Sequence, residues 1–199
     1  MKGYSRFLFV AVLLLSNKTS FCQTLEEALN KEDTVMVLKM VKEGADLNKY
    51  DSSGLGPLMT PSRWGKYDMV NFLLRQGVLP DARRSPAGRT PLIVACAYYG
   101  GINVVKLLVS YGADVNATAN DGSTPLMLAA ANAKQTVVEW LLKNGAHAEA
   151  RDKAGKTALD YARASDDIAH RVINSVKDGV IDKEGTIQVL EDAMKEGKR

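Results

Sequence analysis

The side chains that could perform chemistry are few, and they are scattered along the chain. The thiols and imidazoles are Cys22, Cys96, His147 and His170. None of them has a serine, cysteine or acidic partner at a motif-defined position, so the sequence predicts no nucleophile–base pair. The same scarcity predicts no metal-ligand cluster and no cofactor. These residues therefore favour a function that does not depend on catalysis.

The glycines and Cys96 give two further indications about chemistry. The glycines recur at turn positions with a fixed spacing and match no phosphate-binding signature. Cys96 lies among small residues, Ala95 and Ala97, in a segment with helical pattern. Such a thiol is expected to be buried and unreactive, and a redox role is the alternative.

Charge and length limit the class of protein. A chain of 199 residues favours one domain. The net charge of +3 is the difference between 26 basic and 23 acidic residues, and Lys2, Arg6 and Lys18 lie in residues 1–22, which hold no acid. The remaining 23 basic and 23 acidic residues balance. A neutral body predicts no nucleic-acid partner.

Residues 1–22 have the layout of a secretory signal peptide. Two basic residues come before nine apolar residues, 7–15, and a polar segment, 16–20, follows. Nine residues are too few for a membrane span, which needs roughly 20. Cleavage after Cys22 would make Gln23 the N-terminal residue of the mature protein, and the periplasm is the expected location. Lipid attachment at Cys22, secretion, and a buried N-terminal helix of an intracellular protein are the alternatives.

A motif that ends a helix recurs along the rest of the chain, and so does one that begins a helix. The helix ends contain glycine and lie at 44–48, 77–81, 112–116 and 145–149, with spacings of 33, 35 and 33 residues. The helix starts lie at 56–58, 90–92, 124–126 and 157–159, and two of them read Thr-Pro-Leu. Threonine caps a helix, proline fits its first turn, and glycine ends it.

A period near 33 residues with Thr-Pro-Leu resembles the ankyrin repeat, and the resemblance covers about residues 24–177. It implies an all-α repeat, an ankyrin solenoid of about five stacked helix-turn-helix units joined by β-turn fingers. The array spans 23–177, with units at about 24–50, 51–82, 83–117, 118–150 and 151–177. Residues 178–199 are expected to form a C-terminal capping helix and tail, and a partner-docking helix is the alternative.

The second unit departs most from the family pattern. Pro61 lies four residues after Pro57, inside the expected inner helix. Because an interior proline costs about 3 kcal/mol, we expect the helix to begin late, with Thr60 as its cap, or to be kinked.

Two further departures concern the helix starts and the third unit. The histidine that usually follows Thr-Pro-Leu in the family is replaced by Met59, Ile93, Met127 and Asp160. In the third unit, residues 98–101, Tyr-Tyr-Gly-Gly, exceed the family pattern by one residue. The units at 51–82 and 83–117 are therefore the irregular ones.

The resemblance implies a non-enzymatic scaffold that binds a protein through the concave face formed by fingers and inner helices. Position by position, the expected partner-binding residues are Arg63, Trp64, Arg89, Tyr98, Tyr99, Asn132, Lys134 and Arg163. The partner is a protein of unknown identity, and the chain is expected to be a monomer without a stable membrane span. An enzyme or enzyme-accessory subunit with a site in 51–101, and a secreted effector that binds host protein, are the alternatives.

Overall fold

The computed structural model describes residues 25, 27–29, 31–48, 55–81, 87–164 and 182–197. Within these ranges the regular elements are helices, as the repeat pattern predicts. Besides helical residues at 25 and 27–29, they are α1 (Thr34–Lys42), α2 (Met59–Arg63), α3 (Tyr67–Arg75), α4 (Pro91–Ala97), α5 (Ile102–Ser110), α6 (Pro125–Ala131), α7 (Gln135–Lys143), α8 (Ala158–Ala164) and α9 (Lys183–Glu196). The expected signal peptide lies outside the described residues.

The helices stack in two layers. The inner helices α2, α4, α6 and α8 pack side by side, and the outer helices α3, α5 and α7 each pack on the inner helix of the same unit. Fully buried Ala95, Ala129 and Ala130 lie in the inner layer, where their small side chains let neighbouring helices approach closely. This arrangement confirms the all-α ankyrin solenoid.

One continuous apolar core runs between the layers. Its fully buried side chains include Leu73, Leu92, Ile93, Leu108, Met127 and Leu141. Burying a side chain of this size contributes about 1.5–3 kcal/mol. The inner helices of neighbouring units pack on one another, so the core joins one unit to the next. No helix in the described part of the chain is long and apolar enough to cross a membrane.

The inner helices begin as the threonine pattern predicts. The hydroxyl oxygen of Thr90 accepts from the N–H of Ile93 across 3.3 Å, and Thr124 caps Met127 in the same way across 3.2 Å. Asp160, which replaces the family histidine, accepts from the N–H of Thr157 across 2.9 Å. It also accepts from the Thr157 hydroxyl across 2.7 Å. That pair forms a reciprocal cap, so this unit keeps a fixed start without histidine.

Helix α2 begins late, as expected, but Thr60 does not cap it. The helix starts at Met59, after Leu58 at the cap position, and no side chain caps it. Pro61 is its third residue and lies in the first turn, where the missing N–H removes no helical hydrogen bond. The cap prediction was wrong because the helix can begin two residues before Pro61 at no hydrogen-bonding cost.

Helix α9 lies where the outer helix of the fifth unit would lie. It packs on the inner helix α8 and on the preceding outer helix α7, the two contacts that an outer helix makes. Asp182 caps it by accepting from the N–H of Gly185 across 2.8 Å. The N–H of Asp182 donates to the carbonyl oxygen of Ala133 across 3.3 Å, and Leu190 is fully buried. The C-terminal helix is therefore part of the stack.

Candidate protein-interaction surface

The surface of interest forms where the inner helices of the second and third units end. Trp64, Tyr98 and Asn132 each follow an inner helix directly. Trp64 and Asn132 have ψ angles of 4° and 13°, whereas Tyr98 has a ψ of −142°. The extra residue in the third unit thus turns the chain differently, and the N–H of Tyr99 donates to the carbonyl oxygen of Arg63 across 2.9 Å.

Trp64 and Tyr99 form a parallel aromatic stack between the two units. Their ring centroids are 5.2 Å apart, and their planes differ by 4°. The Trp64 side chain remains 51% exposed, although it is a large apolar group. A rigid aromatic ring that is already held on one side loses little freedom when another protein covers it.

Arg63 extends over the neighbouring aromatic rings. Its guanidinium carbon lies 4.2 Å from the centre of the Tyr98 ring and 5.7 Å from that of Trp64. Arg89 donates from Nη1 to the hydroxyl oxygen of Tyr98 across 3.4 Å. We call Arg63, Trp64, Arg89, Tyr98 and Tyr99 the aromatic–arginine cluster, since these contacts join all five residues.

The backbone beneath the cluster is packed too closely to admit side chains at two glycines. Gly65 has a φ of +69°, and a Cβ there would lie 2.7 Å from the carbonyl oxygen of Tyr99. At Gly100 a Cβ would lie 2.5 Å from the Cα of Ala95 and 2.6 Å from the carbonyl oxygen of Ser62. Both glycines therefore allow the two units to meet, and the cluster is fixed by backbone contact.

The Lys134 ammonium group lies inside the stack and bonds to the backbone of the preceding unit. Its ammonium group donates to the carbonyl oxygens of Ala95 (3.1 Å), Gly100 (3.4 Å) and Tyr98. These oxygens lie at and just after the end of α4, where a positive charge is favourable. Burial lowers the pKa of Lys134 to about 8. Lys134 therefore holds the loop that carries Tyr98 and Tyr99.

Cys96 lies beside Lys134 in the core. The thiol is fully buried, and burial raises its pKa to about 12. A thiol that stays protonated is a poor nucleophile and a poor metal ligand. The described residues contain no group of three or more His, Cys, Asp or Glu side chains that could hold a metal ion.

Asn132 and Arg163 make contacts separate from the cluster. The Asn132 amide donates to the carbonyl oxygen of Leu128 across 2.7 Å and so ends helix α6. Arg163 forms a 2.8 Å ion pair with Glu191 of helix α9. Of the eight residues expected at the site, the structure joins five in the cluster, uses Lys134 beneath it, and gives Asn132 and Arg163 other partners.

A polar ladder that the sequence did not reveal runs along the fingers. Asn120 donates its N–H to the Ala87 carbonyl oxygen across 2.9 Å, and Lys153 donates to that of Asp121 across 3.0 Å. These two bonds join the finger of the fourth unit to those of the third and fifth units.

The ladder also includes a tyrosine on the inner helix α8. Tyr161 donates its hydroxyl to Asp152 across 2.8 Å, and this bond is the largest cause of the lowered pKa of the Asp152 carboxyl. Tyr161 stands where the third and fourth units carry Val94 and Leu128. That exchange of an aliphatic residue for a phenol was the signal available in the sequence.

Known proteins resemble this chain over most of its described length. The family model for ankyrin repeats (3 copies) matches residues 25–119 and 97–179. An ankyrin repeat protein of fowlpox virus is 35% identical over 134 residues, which is 64% of this chain and 39% of the viral protein.

In two other relatives, the segment that matches this chain is a small part of a long protein. Neurogenic locus notch homolog protein 1 of Homo sapiens is 33% identical over 147 residues, 72% of this chain and 6% of that protein. The inactive serine/threonine-protein kinase TEX14 of Bos taurus is 37% identical over 101 residues, 51% of this chain and 7% of that protein. The chain thus spans well under half the length of these relatives.

Proposed function

This chain belongs to the ankyrin-repeat family, and from that premise we propose that it is a non-enzymatic scaffold that binds a protein partner through its fingers and inner-helix ends. Ankyrin repeats generally mediate protein–protein interaction, and stacked repeats create extended concave surfaces for it. The aromatic–arginine cluster is the part of that surface that we assign to the partner.

The observation that supports this assignment is the half-exposed Trp64, held parallel to Tyr99 and adjoining Arg63. Tryptophan, tyrosine and arginine are the residues most enriched at interface hot spots. Such residues contribute most when their own conformation is fixed before binding, because less entropy is then lost. Here a 2.9 Å backbone hydrogen bond from Tyr99 to Arg63 provides that fixation.

The proposed contact set is narrower than the one expected from the sequence. It contains the five residues of the cluster. Lys134 is left out because its ammonium group is engaged with carbonyl oxygens of the preceding unit. Asn132 and Arg163 would take part only if the partner extends along the array toward α9.

Affinity capture with mass spectrometry tests the proposal. The wild-type protein should retain a specific partner, and Trp64→Ala should weaken that complex by about 30-fold or more. Tyr111→Ala is a matched control, since Tyr111 is a 41% exposed aromatic at the end of the outer helix α5. Equal capture by Trp64→Ala, or loss of capture by Tyr111→Ala alone, would place the interface elsewhere.

We also propose that the protein acts after export, on the basis of the basic, apolar and polar segments of residues 1–22. Mass spectrometry of the mature chain should find Gln23 at its N-terminus in an envelope or extracellular fraction. A lipid on Cys22 would appear as added mass that Cys22→Ser removes. Cytosolic protein that retains residues 1–22 would contradict export.

A further inference from the structure

Within the described part of the chain, the Arg63 guanidinium of the aromatic–arginine cluster contacts aromatic rings and donates no side-chain hydrogen bond. We propose that the cluster binds an acidic segment of the partner protein, in which a Glu or Asp carboxylate meets Arg63 and a neighbouring apolar side chain packs on Trp64. This inference rests on the proposed function and adds the chemistry of the segment that the surface takes.

The geometry of Arg63 provides the first argument. Its guanidinium lies over the Tyr98 and Trp64 rings. A cation–π contact uses the flat face of a guanidinium and leaves the N–H groups at its edge free to donate. Two parallel N–H groups match the two oxygens of a carboxylate, and such bidentate, charge-assisted pairs are stronger than hydrogen bonds between neutral groups.

The charges around Arg63 provide the second argument. The ion pairs within the described ranges are Glu27–Lys31, Glu32–Lys66, Arg163–Glu191 and Asp192–Lys195. Lys66, the basic residue nearest to Arg63 in sequence, is therefore already neutralised, and no carboxylate among the described residues forms an ion pair with Arg63. Hydrogen bonds from Ser123 are the largest cause of the lowered pKa of Asp121, and the charge of Arg89 also lowers it, so Arg89 is partly balanced by this carboxylate. The cluster thus carries an excess of positive charge centred on Arg63.

Apolar surface beside this charge defines the rest of the ligand. Trp64 is 51% exposed next to the guanidinium, and Tyr67, three residues on, is 44% exposed. A carboxylate alone would leave these rings in water, whereas an acidic residue beside an apolar one would cover both. Outside residues 1–22 the basic and acidic residues balance, so the net charge of this part of the chain does not favour a nucleic acid.

Selection from a phage-displayed library of short random peptides tests the inference. Peptides enriched on the wild-type protein should contain Glu or Asp beside an apolar or aromatic residue. Fluorescence anisotropy then gives the affinity of an enriched peptide and of its Glu→Gln analogue. Arg63→Gln should weaken binding of the acidic peptide by about 10- to 100-fold, the effect of losing a charge-assisted pair.

Two further variants distinguish paired hydrogen bonds from the Arg63 guanidinium from a simple effect of positive charge. Arg63→Lys should restore only part of the affinity, because an ammonium group cannot stack flat or donate in parallel. Arg75→Gln, an exposed arginine in the last turn of the outer helix α3, should leave the affinity unchanged. On Arg63→Gln, the Glu→Gln peptide should bind no more weakly than the acidic peptide, since the two changes remove the same contact.

The outcomes distinguish this inference from the proposed function. Enriched peptides that need Trp64 but lack a carboxylate would overturn the acidic segment and leave the proposed binding surface intact. The same conclusion would follow if the Glu→Gln change in the peptide cost equal affinity on the wild type and on Arg63→Gln. Peptides that bind Trp64→Ala and Arg63→Gln as tightly as the wild type would overturn both the acidic segment and the proposed binding surface. A preference for phosphorylated over carboxylate peptides, or no enrichment, would also overturn the acidic segment. Circular dichroism confirms that each variant is folded.

Discussion

The N–H of Tyr99 donates to the carbonyl oxygen of Arg63 across 2.9 Å and joins the third unit to the end of helix α2. The extra residue in the third unit makes this bond possible, since it lets the chain reach back after Tyr98. As a result, Tyr99 stacks on Trp64, and Tyr98 lies under Arg63. A one-residue departure from the repeat thus produces the feature that distinguishes this surface.

Removing the Lys134 amine should destabilise the protein. Lys134→Met keeps the aliphatic stem but leaves the carbonyl oxygens of Ala95 and Gly100 without this donor, so we expect a loss of about 2 kcal/mol in the free energy of unfolding. Urea denaturation followed by circular dichroism gives the value. Lys143→Met, an exposed residue in the last turn of α7, should change it by less than about 0.5 kcal/mol. Equal losses in the two variants would contradict the role of Lys134.

Gly100→Ala should separate the second and third units. The added Cβ would overlap the Cα of Ala95 and the carbonyl oxygen of Ser62, which are backbone atoms that cannot rotate away. We expect a cost of at least about 2 kcal/mol in thermal or urea unfolding. Gly112→Ala supplies a comparison, because its φ is +92° with no atom near a Cβ, and its cost of about 1 kcal/mol would be conformational alone. A smaller effect at Gly100 than at Gly112 would contradict the close contact.

Cys96 should make stability depend on alkaline pH. Burial raises its pKa to about 12 from the ordinary thiol value of 9.0, so above pH 9.0 the unfolded chain loses this proton first. Its contribution is complete below pH 9.0 and declines as the pH rises toward 12. The free energy of unfolding then falls by up to about 1.4 kcal/mol per pH unit.

Comparison with Cys96→Ala isolates that effect. Lys134 acts in the opposite direction, since burial lowers its pKa to about 8 from the ordinary lysine value of 10.5, and its contribution to stability rises between these two pH values. Lys134 titrates in the wild type and in Cys96→Ala, so its effect largely cancels in the difference between their free energies of unfolding. Urea denaturation over a pH series should therefore give a stability difference that shrinks above pH 9.0. A difference that stays constant would contradict a raised thiol pKa.

Leu190 should anchor helix α9 to the array. The side chain is fully buried in a helix that packs on α7 and α8, so Leu190→Ala should cost about 2–4 kcal/mol. Gln188→Ala, an exposed position on the same helix, should cost less than about 0.5 kcal/mol. Thermal unfolding followed by circular dichroism compares them. If both variants melt like the wild type, α9 does not contribute to the stack.

Much of the fold could be predicted from the sequence because its signals are local. The threonine caps at Thr90 and Thr124 act on N–H groups three residues away, and the glycines at the helix ends need only their own backbone angles. Recurrence of these signals every 33 to 35 residues was enough to identify the ankyrin stack. The late start of α2 followed from Pro61 in the same way, whereas its capping residue did not.

The tertiary structure alone decided which side chains the stack brings together. Lys134 contacts a loop more than thirty residues earlier, and helix α9 packs against α7 rather than extending as a separate tail. The sequence named Arg63, Trp64 and Tyr98 as exposed ends of inner helices, but their mutual geometry depends on how one unit is placed on the next. Local signals set backbone conformation within a unit, while contacts between units depend on packing over the whole core.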